Sequence, residues 1–293
     1  MNVIEPLINW LLDPAMRTFY GYWPSCILIA VVWASLNWQQ RKKALITVTH
    51  KAFWLNPSCY QDYILILFNR TLFGILAIGW FVFTINVSLQ VFHFLKLFGE
   101  ATVPGTVSSS FTILAIYTLS LFMVDDASRF LLHRLLHKYD FLWRIHQLHH
   151  SATVLTPFST LRIHPLESLM YQLRSSLVHG LCAGCSFYYL GFQADSLQVW
   201  GATIWVVAFN ALGANLRHSP ININYGYFEK IFISPSQHQA HHGVKTMNSN
   251  YGSVLSIWDR MAGSWRSGKL GYELPKETQS LKKQLLLKMV PFK

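Results

Sequence analysis

Charge is what this 293-residue chain has least of. Only 13% of its residues are Asp, Glu, Lys or Arg, against 52% hydrophobic, a balance too apolar for an ordinary soluble domain. Acidic residues are the scarcer kind, 13 against 24 Lys and Arg, which leaves a formal net charge of +11. Cysteine is nearly missing: Cys26, Cys59, Cys182 and Cys185 make no disulfide framework. Cys182-x-x-Cys185 sits in an apolar stretch, where small buried residues are expected rather than a redox pair. There is no G-x-G-x-x-G loop, no Walker loop and no repeat of solenoid period, so nucleotide-binding and repeat classes fall away. No secretory n-region and cleavage site opens the chain, and its first apolar run reads as a retained anchor. No recognition motif accompanies the positive charge, so nucleic acid is not an expected partner. Anionic lipid headgroups or an acidic redox partner suit that charge better.

The counterpart of scarce charge is long runs without it. Residues 18–40, 71–95, 101–124, 175–194 and 196–216 contain no Asp, Glu, Lys or Arg, and each is long enough to span a bilayer as a helix. Pro104 and Gly105 lie early in the third run, so its helix is expected to start near Phe111. Asp195 alone separates the last two, which reads as a tight hairpin over 175–216 that need not cross fully. Residues 1–17 are expected to form a short interfacial helix. Basic residues follow the first, third and fifth runs (Arg41, Lys42, Lys43; Arg129, Arg134, Arg144, Arg162; and the segment after Leu216), which places 125–165 and 217–293 on the cytoplasmic side. The expected fold is an all-α integral membrane protein with about four to five transmembrane helices and a cytoplasmic helical cap. It forms one domain over 1–293: an N-terminal part to 124, a catalytic region over 125–265, and a basic tail over 266–293. With no KDEL-type ending, a bacterial inner membrane is favoured over the endoplasmic reticulum.

Histidine is what the chain does have. Eight of its 13 histidines fall in three clusters. These are His133 and His137; His146, His149 and His150; and His238, His241 and His242, the last two clusters sharing the pattern H-x-x-H-H. At spacings of three and four a helix presents such side chains on one face, so each cluster is expected to offer its imidazoles to a single point. Neutral imidazole is a ligand for iron, zinc, copper or nickel. Eight exceed what one tetrahedral ion takes, and the arithmetic favours two ions. A single H-x-x-x-H would be weak evidence; two identical boxes and a third cluster are hard to explain as packing. These eight are the residues expected to carry the chemistry.

His218, just after the fifth run, reads as a ninth ligand. His164 reads as a further ligand or as a residue supporting one. Asp126, two turns before His133, could fix the tautomer of a ligand histidine or be a carboxylate at the membrane interface. Asn215 could contribute through a water. His50, His93 and His179 stand alone and read as structural.

This order of boxes on a multispan chain resembles the sterol desaturase/fatty acid hydroxylase superfamily. Leu161-Arg162-Ile163-His164-Pro165-Leu166-Glu167 is similar to its L-R-x-H-P-L-E segment. Asn250-Tyr251-Gly252 and Leu255-Ser256-Ile257-Trp258-Asp259-Arg260 are similar to its N-Y-G…L-S-x-W-D-R closing motif. The similarity covers roughly residues 126–265, with Phe130 standing where relatives often carry Tyr. The resemblance implies a non-haem centre of two iron ions, dioxygen as co-substrate and attack on a C–H bond of a lipid. It also implies supporting roles for Glu167, Asn250 and Asp259. Electrons must come from outside, from a cytochrome b5-like or ferredoxin-like protein, because neither a flavin fingerprint nor a fused haem module is present. Hydroxylation is favoured over desaturation. Two other classes compete: a transmembrane haem protein, which needs paired histidines inside the spans, and a metal transporter, which needs polar residues along a midplane path. The lipid and the oligomeric state are not legible.

Overall fold

The structure, a computed structural model, describes Leu12 and residues 19–103, 111–191, 205, 207–269 and 271–290. Among these there is no strand, only an isolated bridge between Phe232 and Leu255. The helices are α1 (Trp23–Ser35), α2 (Trp38–Thr49), α3 (Lys51–Trp54), α4 (Pro57–Lys96), α5 (Phe111–Lys138), α6 (Asp140–His150), α7 (Pro165–Leu190), α8 (Pro235–His241), α9 (Ile257–Ala262) and α10 (Leu281–Leu285). The expected interfacial helix over 1–17, apart from Leu12, the turn at Asp195, and residues 196–204 and 206 of the last run lie outside the described residues.

The first apolar run is not one helix. After α1 the backbone leaves helical geometry at Asn37 (φ −153°, ψ 69°), where apolar residues give way to Asn37, Gln39, Gln40 and Arg41. Arg41 Nη1 then donates to the Trp33 carbonyl at 2.7 Å and lies over the Trp33 ring. It thereby satisfies a carbonyl that the end of α1 leaves open.

The run 71–95 falls inside α4, 40 residues beginning at the Asn56 cap, whose side chain accepts from the Cys59 amide. Among the described residues α4 is the one helix long and apolar enough to cross a membrane. At 1.5 Å per residue it is about 60 Å long, so its first turns project beyond any bilayer. There Asp62 meets Arg162 (Nε–Oδ1 2.5 Å), both wholly buried. Arg162, which the charge pattern places on the cytoplasmic side, is an internal tie between α4 and the loop before α7 and not an exposed charge.

α7 packs along α4 through a row of small residues. A Cβ on Gly180 would stand 2.7 Å from Val87 Cβ, and one on Gly184 only 2.6 Å from the Ser88 carbonyl. With Ser176 and Tyr188 they form the buried face of α7 at a spacing of four, the arrangement that lets membrane helices approach closely. Cys182 and Cys185 are therefore not the buried small residues; both are half-buried free thiols. α7 ends at Gly191 in the left-handed region (φ 58°).

Residues 266–290 are no free basic tail. Gln147 on α6 donates to the Lys288 carbonyl at 2.8 Å and accepts from the Val290 amide at 3.2 Å. Gln61 on α4 donates to the Gln279 carbonyl at 2.7 Å. The segment thus ties to both α4 and α6.

Candidate metal centre

The histidines are delivered by one long helix, two short ones and a 3-10 turn. α5 runs unbroken from Phe111 through 125–138, carrying His133 and His137 on one face. A single extended residue, Tyr139, turns the chain into α6 with His146, His149 and His150. α8 opens with a reciprocal cap between Ser234 and Gln237 and with Pro235, and carries His238, His241 and, at its end, His242. His218 follows the 3-10 turn Ala214–Arg217.

The nine imidazoles gather in two sets. His133, His137, His146, His150 and His241 form one; His149, His218, His238 and His242 form the other. Within each set the ligand nitrogens lie within 4.8 Å of one another. The clusters do not each serve one point, as the spacing suggested. Adjacent helix positions diverge by about 100°, so His149 and His150 face different sets, as do His241 and His242. The sets adjoin, the His150 and His242 rings stacking at 4.7 Å.

Hydrogen bonds settle the tautomers. His133 Nδ1 meets the Tyr251 carbonyl at 2.8 Å, His241 Nδ1 the Ser249 carbonyl at 2.7 Å and His149 Nδ1 the Arg162 carbonyl at 3.2 Å. A carbonyl only accepts, so each Nδ1 carries the proton and each Nε2 a lone pair. The Ser159 hydroxyl donates to the Thr156 carbonyl and hence accepts from His218 Nδ1 at 2.8 Å. His146 Nδ1 points at Glu167 Oε1, 2.8 Å away.

The freed nitrogens then face one another. His133 Nε2 stands 3.0 Å from His241 Nε2 and 3.1 Å from His146 Nε2, and His218 Nε2 stands 3.0 Å from His238 Nε2. In the His133–His241 pair both Nδ1 atoms carry the proton, so the facing Nε2 lone pairs repel unless a cation lies between them. Two nitrogens bound at right angles to one ion, at about 2.1 Å each, are about 3.0 Å apart. His150 and His242 are buried with no hydrogen-bond partner at either ring nitrogen, a costly state for groups meant only to pack. Burial also keeps the rings neutral: it lowers His133 to about 4 and holds His146, His150, His238, His241 and His242 well below the usual histidine value. The residues present fit two metal ions, one per set.

The supporting residues divide. Glu167 touches a histidine of the first set directly, and burial raises its carboxyl well above the usual range; positive charge beyond His146 would favour its ionised form. Asp259 acts at one remove, accepting the Tyr251 and Gly252 amides at 2.8 and 2.7 Å and so fixing the carbonyl that holds His133. Asn250, left-handed at φ 56°, bonds Gln237 and Arg266 and no histidine. Asp126 does not reach a histidine either. Its carboxylate accepts the Val254 and Leu255 amides and the Trp258 indole N–H, because the closing loop offers three donors on the face where a ring was expected. Asn215 lies in the turn that leads to His218.

His164 belongs to neither set. Its Nδ1 accepts the Leu166 amide as the cap of α7, and its Nε2 donates to the Leu285 carbonyl. His50, His93 and His179 also lie outside both sets. Ser159, and the backbone carbonyls that orient the rings, had escaped the sequence. The Ser159 cap with Thr156 was a faint signal; the carbonyls carry none.

A cavity of about 370 Å³ opens on His133, His146, His149, His218 and His238. Its walls include Ile66 and Phe73 of α4 and Leu161 and Ile163 of the loop before α7.

Three relatives bear on this arrangement. The ornithine lipid hydroxylase OlsE of Rhizobium tropici is 31% identical over 147 residues, 50% of this chain and 40% of that protein. The alkylglycerol monooxygenase of Homo sapiens is 29% identical over 150 residues, 50% of this chain and 30% of that one. The Delta(7)-sterol 5(6)-desaturase of Eremothecium gossypii is 27% identical over 193 residues, 66% and 47% respectively. The chain thus spans less than half the length of each. No solved structure matches it. The family model for fatty acid hydroxylase matches residues 118–264, a stretch that holds all nine gathered histidines, and the chain belongs to that family.

Proposed function

We propose that this chain is a membrane-bound, oxygen-dependent lipid hydroxylase in which the nine histidines hold two iron ions. The carrying observation is the pair of nitrogen sets, with lone pairs facing at 3.0 Å, opening on an apolar-walled cavity. Iron bound there would supply the activation of dioxygen that an inert C–H bond requires. The chain's own residues do the rest. The carbonyls of Tyr251, Ser249 and Arg162, with Ser159 and Glu167, hold the rings in one tautomer and orientation. Ile66, Phe73, Leu161 and Ile163 would seat the alkyl part of the substrate and exclude water.

The membrane reading is supported by α4, whose Ile75, Ile78 and Phe81 face outward at 75%, 71% and 66% exposure, a surface suited to lipid. In this reading four to five helices cross, the histidines face the cytoplasm, and a cytochrome b5-like or ferredoxin-like protein delivers electrons to the basic face. A bacterial inner membrane remains the favoured location, and the relative from Rhizobium tropici supports it.

Desaturation is the second reading, favoured by the long match to the sterol desaturase. The test supplies purified protein with reductant, an electron carrier, labelled dioxygen and native lipid extract. One labelled oxygen atom in a lipid is expected. Loss of two hydrogens without label would make the enzyme a desaturase, and oxidation of a water-soluble compound alone would overturn the assignment. Elemental analysis of the active protein should find two irons per chain.

A further inference from the structure

Among the described residues, the cavity beside the histidines has one acidic residue in its wall and three arginines. The acid is Glu167, committed to His146 at 2.8 Å. The bases are Arg70, Arg129 and Arg217. They come from three separate elements. Arg70 sits on α4 just before its uncharged run begins. Arg129 sits on α5, one helical turn before His133. Arg217 immediately precedes His218, its guanidinium stacked on the Phe209 ring at 4.6 Å. Asp125 takes the Arg129 Nε–H at 2.6 Å but also binds Arg174 at 2.8 Å, so one carboxylate is shared between two guanidinium groups. Arginines thus outnumber carboxylates in the described lining of the cavity, and metal ions on the histidines would add positive charge. An anion entering the cavity would be favoured by that balance of charge. The planar guanidinium fork is suited to phosphate and carboxylate oxygens.

We propose that Arg70, Arg129 and Arg217 seat the anionic headgroup, phosphate or carboxylate, of the lipid that this site oxidises. The inference deepens the lipid-hydroxylase reading and rests on it. It also fixes where oxidation falls. Arginines and histidines line the same cavity of about 370 Å³, so the attacked carbon lies within a few bonds of the headgroup and not at the far end of an acyl chain. The apolar wall at Ile66, Phe73, Leu161 and Ile163 takes the first carbons, and the remainder extends along α4.

The experiment uses the iron-loaded full chain in detergent and three probes: dihexanoyl phosphatidate, the uncharged dihexanoylglycerol, and inorganic phosphate. Binding is read by calorimetry at low and high salt, and iron content is measured for every variant. Phosphatidate should bind at least tenfold more tightly than dihexanoylglycerol, and added salt should weaken it. Arg70→Gln and Arg129→Gln should each lose tenfold or more with iron content unchanged, and Arg70→Lys should recover part of the loss. Equal binding of the charged and uncharged probes by the parent protein overturns the proposal, whatever the variants do. So do glutamine variants that hold phosphatidate like the parent. Inorganic phosphate binding as tightly as phosphatidate replaces the lipid with a free anion. Iron content separates the two readings: a chain that binds no iron refutes the hydroxylase, whereas a two-iron chain indifferent to probe charge refutes only the anionic headgroup.

Discussion

Which nitrogen of each ring keeps its proton decides whether the nine histidines can act together, and mostly groups other than histidines decide it. Among the described residues Glu167 is the one carboxylate that touches a ring of either set. Glu167→Ala should weaken iron binding at the five-nitrogen set about 10–100-fold, and Glu167→Gln, which keeps an acceptor toward Nδ1–H, should lose less; competition with a chelator measures both. The metal-free protein should also lose stability in acid. His133 titrates at about 4 when folded and near 6.5 when unfolded. Between those values only the unfolded chain takes up the proton, so the stabilisation is complete above pH 6.5 and declines as pH falls toward 4. His133 alone accounts for on the order of 3 kcal/mol at the lower limit. Thermal unfolding of the metal-free protein between pH 7.5 and 4.5 should show a falling midpoint, and a flat profile would contradict the buried neutral ring. The histidines were legible because H-x-x-H-H is a pattern of residue types. Their division between two sets was not, since spacing alone does not say what lies on either side of a helix. The partners of Asp126 were illegible for another reason: they lie 128, 129 and 132 residues away in sequence.

Among the elements, α4 and α7 form the frame on which the loop before α7, with Arg162 and Ser159, is held. Their contact depends on Gly180 and Gly184, where no side chain fits. Gly184→Leu should destabilise the protein by about 1–3 kcal/mol or more through overpacking. Gly79→Ala, at a position with nothing within 4 Å of a new Cβ, should leave the melting temperature in detergent nearly unchanged; equal effects would argue against the close contact. Uncharged runs found the apolar parts of α4, α5 and α7 but not the charged turns by which each extends past its run, because scarcity of charge is a property of composition. The break at Leu36–Asn37 was missed for the same reason. Asn37, Gln39 and Gln40 are polar without being charged, so a test that counts only charge runs straight through them. The strap over 266–290 was read as a tail because its basic composition hides the backbone bonds made by Gln61 and Gln147.

For the molecule as a whole, orientation is the expectation to test first. The segments around the histidines should be cytoplasmic, so a cysteine at the exposed Lys269 should resist an impermeant thiol reagent in intact cells and react after lysis. Labelling without lysis would reverse the orientation. The division of ligands between two sets also has a consequence for the order in which the protein is made. His133 and His241 face each other across 108 residues of sequence, and His218, His238 and His242 are all synthesised after His149. Neither set is complete until α8 has left the ribosome, by which time α4 and α7 have already emerged. Metal therefore cannot serve as the template for threading the chain into the bilayer. If the chain is the membrane-bound iron enzyme proposed above, iron would enter a protein already inserted, and a cell short of iron should accumulate the empty, membrane-resident form.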